Sequence, residues 1–278
     1  MKWNIITDSS CDLYDLNEYA DEIRFASIPF VINIGNRDFV DNEELNTAEM
    51  VTAMENCREA GRTSCPAPQA WHEQFEKDGY SIAITISGEL SGSYNSACIA
   101  KNMILERCPD KKIAVIDSRS AGPEMALLVT RLCRMITAGC DFDTAVAEIE
   151  NYAKRTHIVF ALSSFNNLIK NGRIGKIAGF IAGRLGFWGI GIGSEQGTIV
   201  LKEKVRGGRQ ALNAVLKDIR ERADSLETVI ISHCQNAELA EKLKNAIQSI
   251  CHTVEVRIMP TRGLCSYYAE KGGLIIGF

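Results

Sequence analysis

Ser91 stands in Gly88-Glu89-Leu90-Ser91-Gly92, between an apolar run at residues 82–86 and a helical pattern continuing through Ala97, Cys98, Ile99 and Ala100. A serine on a sharp strand-to-helix turn is the nucleophile position of many hydrolases, written G-x-S-x-G. Here the spacing is G-x-x-S-G, one residue out of register, and no histidine lies near it in sequence. Asp8 is a second candidate. It closes the apolar run at residues 3–7 and opens Asp8-Ser9-Ser10-Cys11-Asp12, whose side chains suit either phosphate chemistry or the capping of a helix or turn. A phosphatase of the haloacid dehalogenase kind would carry a second aspartate where this chain has Ser10. One reading is therefore a serine- or aspartate-dependent hydrolase or phosphatase acting on an acyl or phosphoryl substrate.

The other reading is binding. Thr63, Ser64, Ser91 and Ser93 are neutral hydroxyls in loops. With Ser91 at an N-cap, the amides of Gly92, Ser93 and Tyr94 are expected to point outward at the positive end of a helix, a place that favours an anion. Neutral hydrogen bonds to a carboxylate contribute only about 0.5–1.5 kcal/mol each. Tight binding then needs a long apolar ligand, at about 0.8 kcal/mol per buried methylene. Neither G-x-x-x-x-G-K-[ST] nor G-x-G-x-x-G occurs, and Gly189-Ile190-Gly191-Ile192-Gly193 has the wrong spacing for a dinucleotide. The four histidines (His72, His157, His233, His252) are scattered, so no metal site and no cofactor are expected.

The elements that must position these groups follow from the apolar pattern. Residues 3–7, 27–34, 82–86 and 112–117 read as strands, and helices follow near Thr47, at residues 69–77, after Ser91, from Pro123 to about Arg134 and from Asp141 or Asp143 to about Lys154. Trp71 and Phe75, four apart, read as core. Residues 61–68 carry Pro66 and Pro68 and read as a rigid loop presenting Thr63 and Ser64. Asp41, Glu43 and Glu44 precede a helix and read as a solvated face. This β-α-β-α alternation predicts a doubly wound, mostly parallel sheet over residues 1–155, with ligand loops at the carboxyl ends of its strands. After residue 155 the pattern changes to a smaller α/β unit over residues 156–278 with an antiparallel element, strands being expected at 185–192 and 198–204 around the turn at 193–197. Gly175, Gly179 and Gly183 fall on one helix face and predict close packing.

Composition excludes several classes. The 278 residues carry 31 Lys plus Arg against 35 Asp plus Glu, a net charge of −4, so a general nucleic-acid binder is not expected. No run approaches the ~20 apolar residues of a membrane span, and the apolar run at residues 3–7 is too short for a signal peptide. The ten cysteines form no C-x-x-C pair and read as reduced residues of a cytoplasmic protein.

Thr7-Asp8-Ser9-Ser10-Cys11-Asp12-Leu13, Arg62-Thr63-Ser64-Cys65-Pro66, Leu90-Ser91-Gly92-Ser93-Tyr94-Asn95-Ser96-Ala97, Asp117-Ser118 and Asn171-Gly172-Arg173-Ile174 occur in that order along nearly the whole chain. In this series the sequence resembles the DegV family, which is similar to the fatty-acid-binding subunits of bacterial fatty acid kinase. The resemblance implies a non-catalytic, two-domain α/β protein that encloses one long-chain fatty acid, without membrane insertion beyond transient contact. It implies that Thr63 and Ser91 hold the carboxylate, with Ser64 and Ser93 as neighbours. It also implies that a separate kinase catalytic subunit phosphorylates the carboxylate, and that Arg173 and Arg206 serve its docking. The sequence departs from the family pattern at Tyr268, where a histidine is usual, at Cys65, where glutamine is usual, and at Gly186-Phe187-Trp188-Gly189-Ile190 in place of a K-P-I segment. A phenol at position 268 donates a hydrogen bond but stays neutral near pH 7.

Overall fold

The structure, a computed structural model, describes residues 2–57, 59–174, 186–223 and 225–278. The glycine stripe of Gly175, Gly179 and Gly183 lies outside the described residues.

The first half runs β1 (Trp3–Asp8), β2 (Ile23–Ile28), β3 (Val31–Ile34), β4 (Arg37–Val40), α1 (Thr47–Asn56), β5 (Arg62–Ser64), α2 (Pro68–Phe75), β6 (Tyr80–Thr85), α3 (Ser93–Leu105), β7 (Ile113–Asp117), α4 (Pro123–Thr137) and α5 (Phe142–Tyr152). Four of these strands form a parallel sheet in the order β2-β1-β6-β7. Successive side chains of a strand point to opposite faces, and here both faces are buried. Ile5, Ile82, Ile84 and Ile116 pack on the side of α4. Ile6, Ala83 and Ile113 pack on the other side, against Trp71 and Phe75 of α2 and Ala97, Ala100 and Ile104 of α3. Burial on both faces is why these strands read as continuous apolar runs.

Residues 27–34, expected as one strand, are two. The chain breaks at Pro29, which has no amide to donate to a ladder. β2 stays in the parallel sheet, while β3 starts an antiparallel sheet of order β4-β3-β5. The segment expected as a rigid loop supplies the third strand of that sheet. Thr63 lies opposite Ile32, and the strand stops at Ser64, before Pro66.

The second half runs β8 (Ile158–Leu162), α6 (Asn166–Lys170), β9 (Phe187–Gly193), β10 (Ile199–Arg206), α7 (Gly208–Arg222), β11 (Thr228–His233), α8 (Ala237–Ile250), β12 (Glu255–Pro260), α9 (Gly263–Ala269) and β13 (Leu274–Gly277). Its strands form a mixed six-stranded sheet, β10-β9-β8-β13-β11-β12, in which only β11 and β12 run parallel. The β9–β10 hairpin falls within two residues of the expected strands. One face of the sheet (Val159, Ala161, Ile231, Leu274, Ile276) packs on α7 and α8. The other face (Ile158, Phe160, Leu162, Ile230, Ile275) joins the core around α4.

α4 is thus sandwiched between the two sheets, which explains why eleven of its fifteen residues are buried. Its first turn touches β13 closely: a Cβ on Gly277 would lie 2.6 Å from the Glu124 amide. Among the described residues no helix is long and apolar enough to cross a membrane.

Candidate functional site

The loops after β1, β6 and β7 meet at the carboxyl edge of the parallel sheet. The Gly122 amide donates to the Ser10 carbonyl at 2.7 Å, and the Ser87 amide to that of Ser120 at 2.9 Å. Asp8 ties the edge together. Its carboxylate accepts from the Ser10 amide (3.1 Å) and hydroxyl, from the Ile86 amide (3.0 Å) and from the Ser93 hydroxyl (2.6 Å). Burial pushes this carboxyl up, and the four donors pull it back. Asp8 is fully enclosed, so it fastens the end of β6 to the start of α3 and offers no attacking oxygen.

Between this edge and the inner face of the second sheet lies a cavity of about 170 Å³. Phe30, Ile86, Leu90, Ile158, Phe160, Leu162, Leu168, Ile199, Leu264 and Ile275 give it an apolar lining. Thr63, Cys65, Ser91 and Tyr268 also line it, as do Arg119 and Arg173. The Thr63 and Tyr268 hydroxyls are 3.0 Å apart and share a hydrogen bond. The Ser91 hydroxyl accepts from the Ser93 amide at 3.3 Å, and α3 begins one residue later than expected, with Gly92 rather than Ser91 at the N-cap.

The structure therefore brings Thr63, Ser91, Tyr268 and Arg173 to the lining of one cavity. It does not bring Ser64, Ser93 or Arg206 there. Ser64 follows Thr63 on β5, so its side chain takes the opposite face, and it is exposed. Ser93 is buried with its hydroxyl committed to Asp8. Arg206 is exposed at the end of β10, its guanidinium 5.9 Å from the centre of the Phe187 ring. Arg173 donates from Nε to the Leu90 carbonyl (3.1 Å) and from Nη1 to the Asn171 carbonyl (2.6 Å).

Tyr268 is placed by α9, a helix the sequence pattern did not reveal. Its N-terminus is fastened by acids from the other half of the chain. Asp41, expected as solvated, is 1% exposed; its two carboxylate oxygens accept from the Gly263 and Leu264 amides, each at 2.8 Å. Asp12 accepts from the Arg262 amide at 2.9 Å, and burial raises its carboxyl to about 6. The buried Arg262 guanidinium donates to the carbonyls of Leu13 (2.8 Å) and Asp41 (3.0 Å) and to the Ser27 hydroxyl (2.9 Å). No local pattern announces these pairs, because the partners are more than 220 residues apart.

Tyr267, beside Tyr268 with ring centres 5.0 Å apart, accepts from Asn171 Nδ2 at 3.0 Å, and burial lifts its phenol to about 12. A Cβ on Gly61 would lie 2.8 Å from the Tyr267 hydroxyl, so the chain passes there only as glycine. The β9–β10 turn closes another part of the cavity. The Ser87 hydroxyl donates to the Gly197 carbonyl at 2.8 Å, and Gly197 has φ of +84°. None of the four histidines lines the cavity, so Ser91 has no imidazole base in its wall. Among the described residues, no group of three His, Cys, Asp or Glu side chains is placed to hold a metal ion.

Residues 2–278 match the DegV family, described as an uncharacterised protein family. The chain belongs to the DegV family. A DegV domain-containing protein from Streptococcus pyogenes serotype M18 is 39% identical, over 100% of this chain and 99% of its own length. Among solved structures, the Streptococcus pneumoniae Fatty Acid Kinase (Fak) B3 protein, loaded with linoleic acid, superposes with a TM-score of 0.96 at 37% identity, covering 100% of this chain and 99% of that one. A DegV family protein from Eubacterium eligens, loaded with heptadecanoic acid, superposes at 0.94 with 33% identity, covering 99% and 98%. The parallel sheet and the separate mixed sheet are the DegV fold of these neighbours.

Proposed function

We propose that this DegV protein binds one long-chain fatty acid without transforming it, and holds the carboxylate where a separate kinase can reach it. The observation that carries the reading is an apolar cavity whose lining includes the neutral hydroxyls of Thr63, Ser91 and Tyr268. Hydrocarbon packs against the isoleucine, leucine and phenylalanine side chains. The hydroxyls accept the carboxylate through donors that need no proton transfer. The neighbours loaded with linoleic and heptadecanoic acids support this ligand class. The similarity to a protein of a fatty acid kinase supports the kinase partner. All ten cysteines are free thiols, which suits a reducing cytoplasm. A hydrolase or phosphatase is not favoured, since Asp8 is sealed by its own donors and Ser91 has no base in the cavity.

Native mass spectrometry tests the binding. Protein stripped of lipid and mixed with palmitic acid takes up one acyl chain per polypeptide. No uptake of any C14–C18 acid, from protein shown to be folded, sinks the reading.

A further inference from the structure

The geometry points to a second binding site, for a phosphate group carried by a small ester or a lipid headgroup, in a separate cavity where Arg119, Lys154 and Arg222 converge. This inference does not depend on the fatty-acid reading.

The cavity measures about 510 Å³. Arg119 comes to it from the loop after β7, Lys154 and His157 from the chain joining α5 to β8, and Arg222 from the end of α7. Glu124 and Glu195 also line it; Thr63, Ser91 and Tyr268 do not. Arg119, Ile158 and Gly193 line both this cavity and the apolar one, so the two adjoin.

The chain as a whole carries a net charge of −4, yet cations from distant stretches gather here. Like charges in one recess repel unless acids neutralise them. Arg222 is neutralised, since its Nη1 donates to Asp218 Oδ2 at 3.0 Å. Among the described residues, Arg119 and Lys154 form no ion pair. Arg119 Nη1 reaches a neutral acceptor, the Glu195 carbonyl, at 3.4 Å.

The backbone of Arg119 is also unusual. Its φ is +54°, a region that side chains other than glycine rarely adopt. The fold imposes it. The Arg119 amide donates to Asp117 Oδ1 at 2.8 Å, and a Cβ on Gly197 would lie 3.0 Å from Arg119 Cα. Strained residues of this kind cluster at ligand clamps. A phosphate dianion matches what is gathered: it brings two charges for two unpaired cations, and its oxygens suit the planar fork of arginine. The cavity has room beyond one phosphate, which favours an ester over the bare ion.

Glu124 sets the sign of a further effect. It is buried, accepts from the Ser120 hydroxyl, stands beside Thr156 and faces Arg222, with Arg119, Lys154 and His157 lining the same cavity. Burial raises its carboxyl to about 7, so at pH 8 it is mostly ionised and opposes an anion.

The test is titration calorimetry of the full-length protein with inorganic phosphate at pH 8 and low salt, beside sedimentation with vesicles of phosphatidylglycerol in phosphatidylcholine. Saturable binding to at least one probe is expected. Arg119→Gln combined with Lys154→Gln should weaken it at least about 10-fold, the range for charged hydrogen bonds. Lys242→Gln, which removes an exposed cation of α8 outside the cavity, should leave it unchanged. Glu124→Gln should tighten it several-fold, a gain that a misfolded variant cannot give. Phosphate binding without vesicle binding assigns the site to a soluble ester, and vesicle binding alone assigns it to a headgroup. Binding of neither probe overturns the inference. So does an equal loss in Lys242→Gln, or a Glu124→Gln variant that fails to tighten binding. None of these outcomes bears on palmitic acid uptake, whose hydroxyls lie outside this cavity.

Discussion

The Thr63 and Tyr268 hydroxyls share a single hydrogen bond at 3.0 Å, and either can turn its proton toward a ligand oxygen. Because the pair shares one bond, its members should not act independently. Thr63→Val is expected to weaken palmitate binding by roughly 1–3 kcal/mol, the cost of removing a donor to a charged group. Tyr268→Phe should cost the same or less. The double variant should cost less than the sum of the two, since contacting residues couple. Titration calorimetry on the four proteins measures this. Strict additivity would mean that the two hydroxyls do not share the ligand. Ser91 is less clean as a probe, because its hydroxyl also accepts from the Ser93 amide at the start of α3.

At the scale of elements, α9 carries Tyr268 to the cavity although it spans only seven residues. So short a helix has little stability of its own. It persists because Asp41 satisfies two of its first amides and because Arg262, at its N-cap, reaches across to the first half of the chain. Asp41 and Arg262 are both buried, with 3.9 Å between Asp41 Oδ1 and Arg262 Nε. Removing one member of a buried pair strands the other, at a typical cost of 3–5 kcal/mol. Asp41→Ala is therefore expected to lose about that much unfolding free energy in denaturant titration. A loss below about 1 kcal/mol, the scale of an ordinary helix cap, would show that Asp41 is not what anchors α9.

For the whole molecule the decisive element is α4, enclosed between two sheets. Glu124 sits in its first turn, 5% exposed, accepting from the Ser120 hydroxyl beside Thr156 and facing Arg222. Burial raises its carboxyl from 4.5 to about 7. A raised folded-state value means that the folded protein holds the proton more tightly than the unfolded chain. The stability this carboxyl contributes is full below pH 4.5 and is lost as pH climbs to about 7. At 1.36 kcal/mol per pH unit the loss is roughly 3 kcal/mol. Glu124→Gln removes the titration. The variant is expected to gain stability relative to the unaltered protein between pH 4.5 and 8, by denaturant titration at each pH. A difference that stays flat across that range would place an ionised carboxylate at this position.

Much of this protein was legible from local pattern. The buried strands of the parallel sheet show as apolar runs because both of their faces are covered, and the Ser- and Asp-rich loops after them mark its carboxyl edge. Ser91 is readable as an anion-binding candidate because a hydroxyl beside a helix start announces an anion-friendly spot, whereas the pairing of Thr63 with Ser91 on a carboxylate comes from the family resemblance. Tertiary structure decided what those residues do. It turned Ser93 inward to Asp8, turned Ser64 away from Thr63, made a β-strand of the segment around Thr63, and buried Asp41 as the cap of a helix some 220 residues away. It also set Arg173 beside Leu90. The physical reason is the range of the forces. Periodicity and capping act over a few residues and leave their trace in the sequence. Pairing among buried charges and hydroxyls depends only on what folding brings within about 3 Å, and no spacing along the chain records that.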